Sequence, residues 1–240
     1  MTPELHIRRP VNPFSTRYIR PGCVTPLDAA GRPLPIAVLA TRARATPMNA
    51  LVGPHGSGKS NLLAVLMAEL ARRGTVRGVR VLSARDVPAV VRSIVCQGAG
   101  AVVGIDGWER LGPAGRWMIR GVARWRRCSL LVTAHHAVGV PVLVRCTSTP
   151  VLLERVVAAL PSHGGRIEPQ DLAAAFARHA GNLREALLDL YDRFEERIRD
   201  ESPAAAGHDG GDASAGHAGS QRRIHESSAS FFHRDPALRT

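Results

Sequence analysis

The sequence is almost without lysine. Of its 32 basic residues one, Lys59, is lysine and the rest are arginine, within a 240-residue chain of formal net charge +12. A guanine-specific GTPase normally carries an Asn-Lys-x-Asp base-reading motif, and a protein kinase needs a strand lysine away from any phosphate loop. Neither can be written if Lys59 is committed elsewhere. Long apolar runs are also missing: no stretch of 18 uncharged apolar residues occurs, so no membrane span is expected. Met1 to Pro10 has charges but no apolar h-region, which gives no secretory signal and a cytoplasmic expectation. The four cysteines, Cys23, Cys96, Cys128 and Cys146, lie far apart with no Cys-x-x-Cys pair. Metal-finger and disulfide-scaffold readings drop out, leaving buried, reduced thiols as the expectation.

What is present is a globular composition, 45% apolar, in a chain long enough for one moderate domain with appendages. Residues 1–47 read as an arm punctuated by Pro3, Pro10, Pro13, Pro21, Pro26, Pro33 and Pro35, with room for a helix near Ile36 to Arg44. From 48 to 149, short apolar runs alternate with helical stretches. Strands are expected at Met48–Val52, Val79–Leu82, Ala101–Ile105, Ser129–Ala134 and Val142–Cys146, and helices at Ser60–Arg73, Asp86–Cys96 and Pro113–Arg127. Such alternation predicts a five-stranded parallel sheet covered on both faces, a three-layer α/β/α core. Residues 150–200 read as a small helical lid, in which Leu183, Leu187, Leu190, Tyr191, Phe194 and Ile198 form one apolar stripe. Residues 201–240 turn to Ala, Gly, Ser and His and read as a disordered tail; Phe231 and Phe232 stand out there as a short docking motif or as nothing more than tail.

Gly53-Pro54-His55-Gly56-Ser57-Gly58-Lys59-Ser60 matches the phosphate-loop pattern G-x-x-x-x-G-K-[ST] and sits between an expected strand and an expected helix. Glycines let successive backbone N–H groups turn inward on phosphate oxygens, and the helix N-terminus adds its positive end. Lys59 is placed to bridge β and γ phosphates and Ser60 to ligate Mg²⁺, with Asn61 next along the same helix start. The cofactors expected are therefore ATP and Mg²⁺. Ala101 to Asp106 is an apolar strand ending in an acid, which makes Asp106 the second Mg²⁺ residue, at the carboxyl end of a parallel strand. The next residue is Gly107 rather than a carboxylate, so Glu109 is the nearest candidate for a water-activating base, and a solvated helix-start glutamate is the alternative.

Taken in order, the phosphate loop, the strand ending in Asp106, Leu130 to His136, and Gly181-Asn182-Leu183-Arg184-Glu185 resemble the AAA+ branch of P-loop ATPases. The chain also resembles a group of bacterial ATP-binding proteins with an Asn-Pro-Phe-Ser-Thr-Arg element, here Asn12 to Arg17. The resemblance covers roughly residues 12 to 198 and implies ATP hydrolysis, or alternatively a nucleic-acid- or protein-binding adaptor in which ATP is a conformational switch, and it leaves a homo-oligomer open. It makes Thr133 the match for the polar sensor at the end of the fourth strand, with His135 and His136 as alternatives, and Arg184 the match for the lid arginine that reaches the γ-phosphate. Independently, Asn182 and Glu185 form a variant capping box, which puts Arg184 in the first helical turn. A cation there opposes the helix dipole unless an anion lies close.

Arg116, Arg120, Arg124 and Arg127 recur at i, i+4, i+8 and i+11 on the helix after Asp106, with Met118, Val122 and Trp125 on a different face, and no acid lies between Arg110 and Arg127. Like charges so spaced repel. A nucleic-acid backbone, a neighbouring subunit's nucleotide or the codon bias of a GC-rich genome each accounts for the stripe. No helix-turn-helix, zinc finger or aromatic RNA-binding motif is readable, so any nucleic-acid contact is expected to be sequence-independent. Small-molecule kinase action lacks a readable acceptor site.

Overall fold

The computed structural model describes residues 10–137 and 139–201; the expected tail, from Ser202 onward and including Phe231 and Phe232, lies outside the described residues. Five strands, β1 (Met48–Val52), β2 (Val76–Arg80), β3 (Val102–Asp106), β4 (Ser129–Ala134) and β5 (Val142–Arg145), form one sheet in the order β2-β3-β4-β1-β5. Every adjacent pair is parallel. Eight helices are described: α1 (Thr16–Ile19), α2 (Ile36–Ala45), α3 (Lys59–Ala71), α4 (Val87–Val95), α5 (Gly112–Arg126), α6 (Pro150–Ala158), α7 (Pro169–Arg178) and α8 (Leu183–Asp200).

The central strands are near-continuous apolar runs because both sheet faces are covered. On one face Ala50, Val103, Ile105, Leu130 and Val132 pack with Val90, Ile94, Trp108 and Ile119 of the α4–α5 side. On the other, Leu51, Val102 and Leu131 pack with Leu39, Leu63, Leu66 and Leu70 of α2 and α3. The expected three-layer α/β/α core with a five-stranded parallel sheet is what forms. No helix among the described residues is long and apolar enough to cross a membrane.

Two expectations need correction. Strand β2 runs Val76–Arg80 rather than Val79–Leu82, because its ladder with β3 is set from Val76 opposite Val102 to Arg80 opposite Asp106. That edge position leaves Arg77 and Gly78 only half-buried, a place where an arginine is tolerated, and it ends the strand before Leu82, which is exposed. The thiols are not uniformly buried either: Cys128 is buried and Cys146 half-buried, but Cys23 and Cys96 are exposed. Cys96 is the C-cap of α4 and Cys23 lies in the turn after α1, so both sit where the chain reverses at the surface.

Helices α6, α7 and α8 share a separate apolar cluster, and the α8 stripe of Leu183, Leu187, Leu190, Phe194 and Ile198 is buried as its spacing predicts. Phe14 enters the same cluster edge-on to Phe194, with ring centroids 6.4 Å apart. Asn12 donates from Nδ2 to the Tyr191 carbonyl at 3.1 Å and to Glu195 at 2.9 Å. A few residues on, the Gly22 N–H donates to Asn61 Oδ1, and Asn61 Nδ2 donates to the Val24 carbonyl, each at 2.8 Å. The segment after Pro10 thus bridges α8 and the first turn of the phosphate-loop helix.

Asp171 fastens the lid. Only 3% exposed, it accepts from the Glu168 N–H at 2.8 Å, from Arg193, and from Arg197 at 2.7 Å. Burial by itself raises its pKa, but the Glu168 amide and the two guanidinium groups outweigh it and hold the carboxyl below its ordinary value. A carboxyl depressed in the folded state stabilises above its unfolded pKa and loses that contribution as pH falls through the folded value. Asp171→Asn is expected to cost about 1–3 kcal/mol at pH 7, with the gap to the parent closing below about pH 4; urea unfolding at both pH values measures it.

Candidate nucleotide-binding site

The phosphate loop spans residues 53–58 between β1 and α3, at the carboxyl end of the sheet. Gly58 has φ 86° and is the N-cap of α3, so the backbone enters the helix through a left-handed residue. Gly56, at φ 71°, is also closely covered: a Cβ there would lie 1.7 Å from Asn182 Oδ1. The lid therefore touches the phosphate loop through the residue that caps α8, since Asn182 Oδ1 also accepts from the Glu185 N–H at 3.4 Å. Ser57 Oγ donates to the Pro54 carbonyl at 2.9 Å and tightens the loop.

Lys59 is 9% exposed, and its ammonium donates to the carbonyls of Gly53 at 2.7 Å and Pro54 at 2.6 Å. No carboxylate forms an ion pair with it among the described residues. Burial lowers its pKa, opposed only in part by Cys146, Glu109 and Asp106. Burial also holds the Cys146 thiol up at about 11, so that group stays neutral. A buried cation held by neutral acceptors without a carboxylate is an arrangement that an incoming anion stabilises.

Asp106 sits at the end of β3 and gathers two hydroxyls. Ser60 Oγ donates to its Oδ1 at 3.0 Å, and Thr133 Oγ1 donates to the same oxygen at 2.7 Å. Thr133 is 2% exposed and accepts the Gly107 N–H at 2.9 Å, so it bridges β4 to the turn after β3. Among the described residues no three His, Cys, Asp or Glu side chains gather to hold a metal by themselves. Ser60 and Asp106 supply hard oxygens of the kind Mg²⁺ accepts when phosphate and water complete its shell, so the donor set fits that ion.

The missing carboxylate after Asp106 has a structural reason. Gly107 has φ 94°, and a Cβ there would meet the Val81 carbonyl oxygen at 2.8 Å. A glutamate at that position has neither the backbone angle nor the room. The chain instead makes a 3₁₀ turn, Trp108–Leu111, which buries Trp108 completely and aims Glu109 back at the loop. Glu109 Oε1 lies 2.7 Å from His135 Nε2, and Glu109 Oε2 is buried without a hydrogen-bond partner. His135 Nδ1 in turn lies 3.4 Å from Lys59 Nζ, and its ring stacks on His55 with centroids 3.8 Å apart. Because an ammonium only donates, His135 Nδ1 is the acceptor and Nε2–H donates to Glu109. Burial lowers the His135 pKa, helped by Lys59 and His55 and opposed by Glu109, which favours this neutral tautomer.

A cleft of about 660 Å³ opens beside this chain of contacts, lined by Pro54, His55, Glu109, Arg116 and His135. Spacing groups Arg116 with Arg120, Arg124 and Arg127, but its side chain lines this cleft, with Nε donating to the Gly112 carbonyl at 3.1 Å. A second cleft of about 590 Å³ lies between the loop and the lid, lined by Pro54, His55, Ser148, Phe176, Gly181 and Asn182. Ser148 Oγ is buried there without a partner.

Lys59, Ser60, Asp106, Thr133 and Glu109 are thus brought together, while among the described residues no hydrogen bond links Asn61 or Arg184 to them. Asn61 spends its side chain on the backbone at Gly22 and Val24. Arg184 stands exposed in the first turn of α8 and makes no hydrogen bond or ion pair among the described residues. Sequence spacing did not single out His55 as a ring partner or Arg116 as a cleft residue. His135 was legible as one of three polar residues at the end of β4, and its link to Glu109 depends on the Gly107 turn.

No protein-family model matches the sequence, and no curated protein matches it. The fold does have a counterpart among solved structures. A mutant of RuvB from Thermotoga maritima superposes with a TM-score of 0.50 at 16% identity, covering 69% of this chain and 60% of that one. A second structure, of the Thermotoga maritima RuvB Holliday junction branch migration motor, gives 0.49 at 18% identity over 69% of this chain and 61% of that one. Cdc6p from Pyrobaculum aerophilum gives 0.43 at 17% identity, over 65% of this chain and 56% of that one. The chain therefore spans about 60% of the RuvB chain. Its described residues share with that structure a three-layer α/β/α fold around the five-stranded parallel sheet that the alternation of strands and helices predicted.

Proposed function

We propose that the protein binds Mg-ATP at the loop 53–60 and uses hydrolysis, or the bound nucleotide itself, to switch the contact between loop and lid. The observation that carries this reading is the buried Lys59 ammonium, held by the Gly53 and Pro54 carbonyls without a carboxylate partner. Triphosphate oxygens supply the anion that this group lacks, and the glycine-rich loop opening α3 supplies N–H donors for them. Ser60 and Asp106 would hold Mg²⁺, whose charge offsets that of the phosphates when it is bound. Thr133 holds Asp106 in place. Arg116 and Arg184 are the cations available to the terminal phosphate, one from the core and one from the lid.

Glu109 is the base in this reading, and His135 positions it. The imidazole fixes one carboxylate oxygen and leaves the other, Oε2, to accept a proton from an attacking water. The same imidazole contacts Lys59, so a change in the lysine's partners is felt at Glu109 through a single ring. A second reading rests on that coupling: with Glu109 engaged by His135 and Gly107 in place of a carboxylate, turnover is slow and bound ATP acts as a conformational latch. Asn182 against Gly56 is the point where the lid registers the occupied loop.

Four outcomes are expected. Lys59→Ala loses Mg-ATP binding by two orders of magnitude or more in calorimetry while keeping its unfolding midpoint; binding equal to the parent's would refute the site. Because Lys59 is the only lysine, an amine reagent has two targets, Lys59 and the N-terminal amine. Mass spectrometry should find Lys59 protected by Mg-ATP, its lowered pKa having made it reactive in the free protein. Glu109→Gln reduces single-turnover hydrolysis by about 10²-fold or more with little change in affinity. The rate for the parent falls on an acid limb below pH 6.5, where His135 protonates and its Nδ1 ceases to accept from Lys59. That limb is absent from His135→Gln.

A further inference from the structure

The outer face of α5 holds an arrangement that spacing alone did not show. Trp117 and Trp125 are 80% and 70% exposed, although the third tryptophan, Trp108, is fully buried. Gly115, Ile119 and Ala123 form the buried side of the helix, so Met118 and Trp125 lie on the solvent side rather than on a packed one. Indoles normally lose most of their surface on folding, and two left in water on one helix mark a contact surface. Around the helix axis Trp117 falls in line with Arg124, and Trp125 with Met118, since seven residues nearly complete two turns. Gly121 lies between the two indoles along the helix, and a Cβ added there would meet no atom within 4 Å, so the helix surface between them is open at that point.

Charge decides what such a surface accepts. Arg124 and Arg127 are exposed and make no hydrogen bond or ion pair through their side chains among the described residues. Arg120 stands over Trp108 at 5.7 Å on the same side of the helix, and Arg92 of the neighbouring α4 is exposed. No acidic residue occurs between Arg110 and Arg127. An apolar protein surface does not answer guanidinium groups, and an acidic protein segment does not answer two open ring faces. A chain with regular phosphates and flat bases answers both.

We propose that this face binds single-stranded nucleic acid, with bases stacked on Trp117 and Trp125 and phosphates paired with Arg124 and Arg127. The indoles are eight residues apart, about 12 Å along the helix, which at ~3.4 Å per base brackets about three stacked bases. Trp125 is already oriented: Arg126 covers one side of its ring at 5.4 Å and is itself anchored by donating to the Gln97 carbonyl at 2.8 Å. The other side of the ring is left for a base. Stacking tolerates any base and needs it free of a duplex, so the surface selects strandedness rather than sequence. The inference does not depend on the nucleotide site, none of whose residues it uses except for sharing helix α5 with Arg116.

The test uses the full chain and a 20-nucleotide oligothymidylate, read by tryptophan fluorescence and by anisotropy of the labelled strand. Binding is expected to quench the two exposed indoles and to weaken steeply with salt. Trp117→Ala and Trp125→Ala should each lose about tenfold or more in affinity, with most of it kept by Trp117→Phe and Trp125→Phe. Arg124→Gln should lower the slope of log affinity against log salt by about one. Mg-ATP binding, measured on the same variants, should be unchanged, so strand binding and nucleotide binding are scored separately. Unchanged strand affinity in both alanine variants overturns the proposal. So does equal binding of a 20-base-pair duplex or heparin without quenching, which would mean charge alone. Self-association abolished by the same variants, with no strand bound by the parent, would assign the face to a second copy and overturn it as well.

Discussion

One buried ammonium organises the site. Lys59 is the only lysine in a chain that otherwise uses arginine, and its compact ammonium is buried, at 9% exposure, among loop carbonyls. Three acceptors surround it: two loop carbonyls and one imidazole nitrogen. Removing a cation from water is costly unless its donors are met, so those acceptors hold the loop in its turn. The imidazole that meets the third donor is thereby committed to one tautomer, and its remaining N–H fixes Glu109. The electrostatics of the loop and the position of the candidate base are one arrangement.

The turn after β3 shows how backbone geometry relocates a functional group. Gly107 is required by a positive φ and by the nearby Val81 carbonyl, which rules out a carboxylate directly after Asp106. The buried Trp108 then acts as a pivot, and Glu109 reaches His135 from the following residue. The nearest carboxylate after Asp106 is therefore Glu109, set against His135 rather than directly at the end of the strand. Thr133 connects the two halves of this device, donating to Asp106 and accepting from Gly107.

The segment around Asn12 and Phe14 couples core and lid. Its anchorage to Tyr191, Glu195 and Phe194 on α8 and to Asn61 on α3 joins the two elements that also meet at Gly56 and Asn182. Proline spacing identified this stretch as irregular, which is a statement about local conformation. Long-range partners such as Asn12 and Glu195 leave no periodic trace, so that its packing followed only from the assembled fold. The α5 arginines show the converse: a regular spacing was legible, yet Arg116 turned into the cleft, Arg120 settled over Trp108, and only Arg124 and Arg127 remained without a side-chain partner.

The sequence by itself determined the parallel sheet, the phosphate loop with Lys59 and Ser60, the strand ending in Asp106, and the capped α8 with its buried stripe. Each is encoded by neighbours within a few residues: apolar runs, a glycine-rich turn, a capping pair. Tertiary structure alone decided that His135 would join Lys59 to Glu109, that Asn61 would face the N-terminal segment, and that two tryptophans would stay in water. Those outcomes depend on how separate elements approach one another, at distances of a few ångströms, and nothing in the local order of residues sets such distances.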